Sequence, residues 1–285
     1  MESSRENGII DLHTHSNMSD GSDSPVELVR KAKKGNLVGL ALTDHDTVQG
    51  VPLAKMEAEA LGLKFLSGVE IGCQDEFGNL HILGYFKDLE IERFSHELEW
   101  VKKARIERNM KILAKLREEG MPISMDRLKM YGGVDVIGRL HIAKAMLGEG
   151  HVKAMKVAFK EYLNVGGRCF VPRKTFTSRE AIELIKGYGG LVVMAHPFLI
   201  PGQKMELTRI INGLAGLGID GIEVYYIENT PEETRFLENI CEKHNLIPTG
   251  GTDYHGVNKP GVSLGVGRGD MSIPYSLMYR MLQRI

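Results

Sequence analysis

The sequence predicts an α/β protein, a barrel of seven strands that carries a helical insertion. Seven short apolar runs have the length of buried strands, and each is followed by a helix-like or turn segment. This alternation predicts a mainly parallel sheet, and seven such units favour a barrel over an open sheet. The predicted strands are 8–13, 37–43, 63–69, 80–86, 191–195, 219–225 and 246–250.

Capping residues mark the starts of helices between these runs. Ser24 and Pro25 precede one of them, because a serine side chain accepts hydrogen bonds from the first turn and a proline fits that turn. Thr177 and Glu180 mark a second start in the same way. The helices predicted from such signals are 26–34, 179–187 and a segment from Thr230-Pro231 to about residue 244.

Between the fourth and fifth apolar runs, the chain is rich in charged residues, and its apolar residues recur at helical spacing. Apolar residues that can share one helical face here are Leu98, Val101, Ile106, Met110, Leu113 and Leu116. Two shorter helices are expected over 142–147 and 152–162. We therefore predict a barrel domain formed by residues 1–93 and 165–285. Residues 94–164 are predicted to form a helical insertion that folds against the barrel mouth.

Composition limits the classes of protein to consider. The chain has 285 residues, 42% of them apolar, and a formal net charge of −1, so it has no overall basic field for long double-stranded nucleic acid. Cys73, Cys169 and Cys241 are widely spaced, as free thiols in a reducing compartment would be. The amino terminus lacks the apolar core of a secretory signal, and no run has membrane-spanning length. We expect a cytoplasmic protein with no membrane and no obligate protein partner.

Most of the predicted strands end in, or contain, a residue able to bind a metal ion. A lone histidine of this kind is usually a hydrogen-bonded polar residue. A whole rim of such residues at one barrel mouth is difficult to explain by packing, because buried polar groups need partners and clustered carboxylates repel one another. The candidate ligands are His13, His15, Asp20, His45, Glu70, His81, His196, Asp253 and His255.

The chemical types of these ligands restrict the metal. Nitrogen and carboxylate donors without thiolates suit Mn, Fe, Zn or Co, and they argue against a structural zinc site. Adjacent ions that share a carboxylate and a hydroxide stabilise the attacking and leaving oxygens in phosphoryl transfer. Several cations in one mouth would also favour an anionic substrate. The residues therefore indicate a polynuclear metal site.

These motifs, taken in order, resemble the polymerase and histidinol phosphatase (PHP) family. The resemblance is carried by DLHTHSNMSDG at 11–21, TDHD at 43–46, Glu70, His81, AHP at 195–197 and GTDYHG at 251–256. It implies a distorted seven-stranded (βα) barrel with a trinuclear metal centre. It also implies that a hydroxide bridging two metal ions attacks the phosphorus of the substrate.

The resemblance further implies three divalent ions, with manganese favoured over iron or zinc. The implied ligand sets are His13, His15, Glu70 and Asp253 for one ion, His81 and His196 with Glu70 bridging for a second, and Asp20, His45 and His255 for a third. Asp44 and Asp46 are expected either to orient His45 or nearby waters or to cap a turn. Glu223 is placed only in the surroundings of the ligands.

The insertion resembles that of a smaller branch of the family through IGRLHIAKAM at 137–146, although branch members often have proline at position 140. The branch implies removal of the 3'-phosphate from nucleoside 3',5'-bisphosphates such as adenosine 3',5'-bisphosphate. It also implies trimming of short 5'-phosphorylated oligoribonucleotides. Arg139 and Arg173 are expected to bind the phosphate that is not cleaved. His141 is expected to hydrogen-bond the scissile phosphate or to protonate the leaving oxygen.

Three alternatives remain open from the sequence. A histidinol-phosphate phosphatase would share the barrel, but the insertion with Arg139 and Arg173 favours a larger, doubly charged substrate. A metal-dependent amidohydrolase also begins with His-x-His, but it often has a strand-end lysine where Glu70 stands. A non-catalytic accessory PHP domain would have lost ligands, whereas every ligand position is filled here.

Overall fold

Seven strands form one sheet that rolls into a nearly closed barrel in the computed structural model, which describes residues 8–132 and 135–285. Neighbours in the sheet follow chain order. The first and last strands meet through the hydrogen bond from Leu12 N to Gly250 O (3.3 Å) and a parallel bridge between Thr14 and Tyr254. The strands are β1 (Ile10–Asp11), β2 (Gly39–Leu42), β3 (Lys64–Asp75), β4 (Gly78–Phe86), β5 (Leu191–Met194), β6 (Gly221–Tyr226) and β7 (Ile247–Gly251).

Helices connect most of these strands, and the three predicted from capping signals are confirmed. Their first residues are Pro25, Ser178 and Pro231, and each start has a complete capping box. Within the described residues, no helix combines the length and apolar character that a membrane crossing requires. The helices are α1 (Pro25–Lys34), α2 (Val51–Leu61), α3 (Ile91–Glu118), α4 (Met125–Lys129), α5 (Arg139–Gly148), α6 (Met155–Val157, continued by a π-helical turn over Ala158–Leu163), α7 (Ser178–Gly187), α8 (Lys204–Leu217), α9 (Pro231–His244) and α10 (Tyr275–Leu282).

The connection between β3 and β4 departs from the expected pattern. β3 extends to Asp75 and turns directly into β4 through Glu76 and Phe77, so β4 is antiparallel to both of its neighbours. Asp75 Oδ1 accepts a hydrogen bond from Phe77 N (2.9 Å), and Gly78 has a φ of 95°, which glycine adopts without strain. The prediction that Glu70 ends a strand is therefore wrong, because this residue lies within β3.

Alternation along the strands places the candidate ligands on the interior face of the barrel. Glu70 follows Leu66 on β3 in two-residue steps, and His81 precedes Leu83 on β4 in the same way. Leu66 and Leu83 belong to the apolar interior, which Met278 of α10 completes. The ligands thus form a polar layer on top of a packed apolar interior.

The segment between β4 and β5 is helical and has a core of its own. The first part of α3 packs Leu98 and Val101 against the barrel, whereas its last part packs Ile112 and Leu116 with α5. The backbone N–H groups of residues 135 and 136 donate to Met18 O at 3.2 and 2.9 Å, which holds this segment against the barrel mouth. Two separate cores suit a barrel with an insertion, and the boundaries at 94 and 164 stay a prediction.

The buried face of α3 differs from the predicted one. Ile106 and Met110 are 54% and 60% exposed, whereas Arg108 and Asn109 are buried. The middle of α3 crosses the barrel mouth, where Arg105 forms an ion pair with a barrel loop. Polar groups of the site replace an apolar core at this point. The prediction that Ile106 and Met110 share the buried face is wrong for this reason.

Candidate metal centre

Glu70 lies at the centre of the candidate site and is fully buried. Its Oε2 atom is 3.3 Å from His13 Nε2, 3.2 Å from His15 Nε2 and 2.9 Å from His45 Nδ1. Asp253 Oδ1 approaches the same nitrogens of His13 (3.5 Å) and His15 (3.2 Å). Ligand atoms of His13, His15, Glu70 and Asp253 all lie within 4.8 Å of one another, as the ligands of one metal ion would.

The second oxygen of Glu70 faces a different pair of histidines. Oε1 is 2.7 Å from His81 Nδ1 and 2.9 Å from His196 Nε2. Ligand atoms of His45, Glu70 and His81 also lie within 4.8 Å of one another. A carboxylate with different imidazoles on its two oxygens has the arrangement of a bridging ligand.

Asp20 gathers a third group on the other side of His15. Its Oδ1 is 3.2 Å from His255 Nε2 and 4.0 Å from His15 Nδ1, and its Oδ2 is 3.7 Å from His45 Nε2. These four residues again place ligand atoms within 4.8 Å of one another. The structure thus brings together all nine candidate ligands that the sequence predicts: eight lie in these three overlapping groups, and His196 contacts Glu70 Oε1.

Divalent cations fit this set of donors. Among the described residues, His13 Nε2, both ring nitrogens of His15 and Glu70 Oε2 are buried without a hydrogen-bond partner. Buried polar atoms are normally paired, so unpaired atoms that point at one another fit ions bound between them. The grouped donors are imidazole nitrogens and carboxylate oxygens, which suit Mn, Fe or Zn.

The electrostatics of the site also favour bound positive charge. Burial acts to raise the pKa of Glu70, but the surrounding histidines outweigh burial and hold that pKa well below its usual range. Burial acts to lower the pKa of His13, but Glu223, Glu70 and Asp253 raise it well above the usual value. The carboxylates are therefore ionised, and protonated imidazoles or metal ions must balance their charge.

Glu223 orients two of the candidate ligands through hydrogen bonds. Its Oε1 accepts a hydrogen bond from His13 Nδ1 (2.9 Å), and its Oε2 accepts one from the backbone N–H of His196 (2.8 Å). With the Nδ1 proton engaged, His13 presents Nε2 to the centre. Glu223 is fully buried and orients ligands, in agreement with its predicted place in their surroundings.

Asp253 is oriented by residues that the sequence analysis missed. Its Oδ2 accepts hydrogen bonds from Lys259 Nζ (2.7 Å) and Tyr226 OH (3.0 Å), which leaves Oδ1 facing the histidines. Neither residue lies in a recognised motif, and their places depend on how β6 and the loop after β7 meet. The only signal available was a lysine six positions after the ligand.

The two aspartates that flank His45 fix other parts of the site. Asp44 accepts hydrogen bonds from the hydroxyls of Ser16 and Ser19, both at 2.6 Å, so it shapes the loop that leads to Asp20. Asp46 instead pairs with two arginines, as described next. Among the described residues, neither carboxylate is hydrogen-bonded to His45. Asp44 instead has the turn role that was the alternative expectation, since it also accepts a hydrogen bond from the backbone N–H of Ser16 (2.8 Å).

Arginines form a second feature of the mouth, beside the candidate ligands. Asp46 forms ion pairs with Arg105 and with Arg173 Nη1, the latter at 2.7 Å. Arg173 also lines a cavity of about 210 Å³ together with Arg108, Arg139 and the candidate ligand His81. Arg139 and Arg173 are therefore brought together, as the sequence predicts.

Arg108 is the member of this cavity that the sequence analysis missed. It is only 6% exposed, and among the described residues its Nη2 atom has no hydrogen-bond partner. Burial and the neighbouring arginines lower its pKa, which is the mark of uncompensated positive charge. Arg108 stands seven positions after Val101 and four before Ile112, so a charge within the apolar stripe of α3 was the available signal.

His141 is placed apart from the arginine cavity. It is 2% exposed, and its Nδ1 accepts a hydrogen bond from Gly138 N (2.9 Å) at the start of α5. Because a backbone N–H can only donate, the proton of the neutral ring must be on Nε2. Burial is the main cause that lowers the pKa of His141 to about 4. His141 is therefore a neutral hydrogen-bond donor at physiological pH.

Comparison with known families identifies this arrangement. The PHP domain matches residues 11–168, which is more than half of the chain. The chain belongs to the PHP domain family. The matched span of this PHP chain begins on β1, includes the β3–β4 hairpin and ends after the helices that follow it.

Proteins similar to the PHP chain act on phosphoesters. A 5'-3' exoribonuclease of Haemophilus influenzae is 32% identical over 86% of this chain and 89% of its own. A 3',5'-nucleoside bisphosphate phosphatase of Chromobacterium violaceum is 30% identical over 90% of both chains. The crystal structure of a proposed metal-dependent phosphoesterase from Bifidobacterium adolescentis matches with a TM-score of 0.83 and 31% identity, over 96% of each chain. The PHP chain is an enzyme that hydrolyses phosphoester bonds.

Proposed function

We propose that this PHP protein removes the 3'-phosphate from nucleoside 3',5'-bisphosphates such as adenosine 3',5'-bisphosphate, and that it also trims short 5'-phosphorylated oligoribonucleotides. Both substrates combine a phosphoester that is cleaved with a 5'-phosphate that is not. The observation that carries the proposal is the cavity in which Arg108, Arg139 and Arg173 stand beside His81. The activities named for the two relatives support the same pair of substrates.

The arginine cavity suits a phosphate that is held but not cleaved. Guanidinium groups form paired, charge-assisted hydrogen bonds to phosphate oxygens, and Arg108 Nη2 has no hydrogen-bond partner in the part of the chain that the structure describes. Gly72 keeps open the space next to Arg173, since a Cβ at this position would lie 3.0 Å from Arg173 Nη2 and 3.6 Å from the His81 ring. A phosphate in the cavity would therefore lie directly beside a candidate metal ligand.

We infer that the three ligand groups hold three divalent ions, with manganese as the first candidate. Such ions, when bound, supply positive charge to the phosphate and activate water for attack on phosphorus. The role of Glu70 is to bridge two ligand groups, and Glu223 and Lys259 keep their partners in the orientation that binding needs. His141 donates a hydrogen bond from Nε2 to the scissile phosphate, and its low pKa disfavours the alternative role as an acid.

The proposal implies small nucleotide substrates inside the cell. Cys73, Cys169 and Cys241 are buried and free, which suits a reducing cytoplasm. A histidinol-phosphate phosphatase would have no use for an arginine cavity that receives a second phosphate, so it takes second place. The substrate comparison below separates the two.

The substrate proposal is tested by comparing three phosphate esters with the manganese-loaded protein. Adenosine 3',5'-bisphosphate should exceed both adenosine 3'-monophosphate and histidinol phosphate in kcat/KM by roughly 10–100-fold, because hydrogen bonds to a charged group contribute about 1.5–3 kcal/mol. Arg108→Met should remove most of this preference by lowering kcat/KM for the bisphosphate alone. The matched control is Arg93→Met, which changes a 71% exposed arginine on the same helix. Equal rates on all three esters would overturn the proposal.

The metal proposal is tested separately by elemental analysis. We expect about three divalent ions per chain after loading with manganese, complete loss of phosphate release on chelation, and recovery on adding the ions back. One ion per chain in a fully active sample would contradict the assignment of three sites. A metal-replete protein that is inert towards every phosphate ester would contradict the proposed function as a whole.

A further inference from the structure

A large groove on the insertion is not used by the function proposed so far. It lies between α3 and the residues 123–132 and 135–137, and its volume is about 950 Å³. Its size is at the upper end of the range for pockets that enclose a small molecule. The large apolar residues of its lining include Ile106, Met110, Leu113, Ile123, Met125 and Ile137.

The floor of the groove is apolar and accessible. Ile106 and Met110 lie one turn apart on α3. They are 54% and 60% exposed, although each is large and apolar. Exposed apolar side chains that line one concave surface are typical of a binding site rather than of ordinary surface. The floor can therefore cover flat, poorly hydrated groups such as nucleobases.

The rim of the groove is basic. Lys102, Arg105, Arg117 and Lys129 line it, and Asp135 is the acidic residue of the lining. The Asp135 carboxylate is already engaged by Lys102 Nζ at 2.6 Å and by a threonine hydroxyl of the barrel. Arg105 pairs with Asp46, and Lys129 Nζ is 3.4 Å from Asp126 Oδ1. Among the described residues, Arg117 is the basic group of the lining without an acidic partner, so the groove suits a ligand with apolar faces and anionic linkers.

One end of the groove contacts barrel residues that neighbour the candidate metal centre. Arg105 lines the groove and pairs with Asp46, the neighbour of the candidate ligand His45. Asp135 donates its N–H to Met18 O in the loop that carries Asp20, and its carboxylate accepts a hydrogen bond from Thr47. The groove therefore begins beside the loops of the Asp20 group.

The arginine cavity is a neighbour of the groove, because Arg173 of the cavity and Arg105 of the groove pair with the same carboxylate of Asp46. That cavity includes His81, whereas the groove begins at the loop of His45, and these two imidazoles flank Glu70 with ring centroids 5.2 Å apart. A chain whose 5'-phosphate is in the arginine cavity and whose first linkage is at the metal ligands would continue towards the groove. The two cavities thus lie close enough together to receive successive parts of one substrate.

We propose that the groove binds the nucleotides that follow the scissile linkage of a short single-stranded RNA. The inference rests on the proposed function, because it takes the arginine cavity as the site of the 5'-phosphate. Bases pack on Ile106 and Met110, and the phosphates between them meet Lys102, Arg117 and Lys129. A mononucleotide bisphosphate has no such extension and does not use the groove.

The kinetic test compares a 5'-phosphorylated tetranucleotide with adenosine 3',5'-bisphosphate. Met110→Glu places a negative charge on the groove floor, and we expect it to lower kcat/KM for the tetranucleotide by about tenfold or more. Hydrolysis of the bisphosphate should stay within about twofold of wild type, since this substrate does not enter the groove and salt screens a charge on the groove floor. The control is Met205→Glu, which adds the same charge at an 81% exposed methionine on α8. Equal loss on both substrates, or no loss on either, would overturn the assignment.

A cross-linking experiment tests the groove without relying on turnover. The holoenzyme is mixed with a 5'-phosphorylated tetranucleotide that has a methylene phosphonate at its first linkage and 4-thiouridine at its third position. Irradiation should attach the probe to peptides from α3 or from residues 123–137, and Met110→Glu should reduce the yield. Attachment to other peptides would refute the groove assignment. If wild-type protein hydrolyses no nucleotide but cross-links in the groove, the proposed reaction fails and the binding site stands.

Discussion

Three functional residues have a backbone that side chains rarely adopt. The φ angles of Asp46, His196 and Asp253 are 53°, 27° and 51°, within the region that favours glycine. Such conformations cost about 1–3 kcal/mol each and persist only where surrounding contacts impose them. Glu223 supplies such a contact for His196 by accepting its N–H. The strain at these positions is evidence that the side chains are held for function.

His141 predicts a specific loss of stability in acid. Its pKa is lowered from 6.5 to about 4 in the folded protein, so below pH 6.5 the unfolded chain takes up a proton that the folded chain does not. Acidification from pH 7 to 5 should therefore reduce the free energy of unfolding, by on the order of 2 kcal/mol from this residue alone. His141→Gln removes the titration and can keep the capping hydrogen bond to Gly138 N.

This prediction is checked by urea unfolding of the wild type and His141→Gln at both pH values. The wild type should lose more stability than the variant between pH 7 and pH 5. Other titrating groups are common to the two proteins and cancel in the comparison. An equal loss in both proteins would mean that His141 titrates normally.

At the scale of elements, barrel closure depends on a glycine. A Cβ at Gly251, the last residue of β7, would overlap the backbone nitrogen and the Cβ of His13. Gly251→Ala should therefore push β7 away from β1, destabilise the protein by about 1–3 kcal/mol and displace a metal ligand. Gly216→Ala on α8 meets nothing within 4 Å and should be neutral or slightly stabilising.

The two glycine variants are compared by urea unfolding and by bound metal per chain. Gly251→Ala should have a lower midpoint and less bound metal than wild type, and Gly216→Ala should have neither defect. Full metal content with wild-type stability in Gly251→Ala would mean that closure tolerates the extra atom.

The sequence predicted the elements and ligands that depend on local patterns. The seven strands and the nine candidate ligands could be located because apolar runs and the residues next to them are contiguous in the sequence. The roles of Lys259 and Arg108 could not be predicted from the sequence, because they depend on which elements meet across the barrel mouth. The β3–β4 hairpin was missed because an apolar run does not show how far it extends: β3 continues past Glu70 to a turn set by Gly78.

At the scale of the whole molecule, Asp46 joins the barrel to the segment that covers its mouth. Its carboxylate pairs with Arg105 on α3 and Arg173 on the returning chain, and all three side chains are largely buried. Removal of the acid leaves two arginines without their partner, and breaking a buried pair in this way costs about 3–5 kcal/mol. Asp46→Asn should therefore loosen α3 over the mouth while the far side of the barrel stays intact.

Hydrogen–deuterium exchange of the metal-loaded protein measures this loosening. In Asp46→Asn, amides of the middle of α3 should exchange about tenfold faster or more, whereas those of β6 should keep wild-type rates. Asp126→Asn serves as the control, because this aspartate is 93% exposed on α4. Unchanged exchange in α3 would show that other contacts suffice to hold the segment.

The β3–β4 hairpin has a consequence for how the protein assembles. Glu70 and His81 are 11 residues apart and meet across one tight turn, whereas Asp11 and Thr252, which join the barrel ends, are 241 residues apart. Local hairpins form in microseconds, and contacts between distant residues must first overcome the entropy of closing a long loop. We therefore expect these two candidate ligands to meet before the barrel ends join. A metal ion bound early by this pair would then help to bring together the two ends of the barrel, which carry His13 and Asp253.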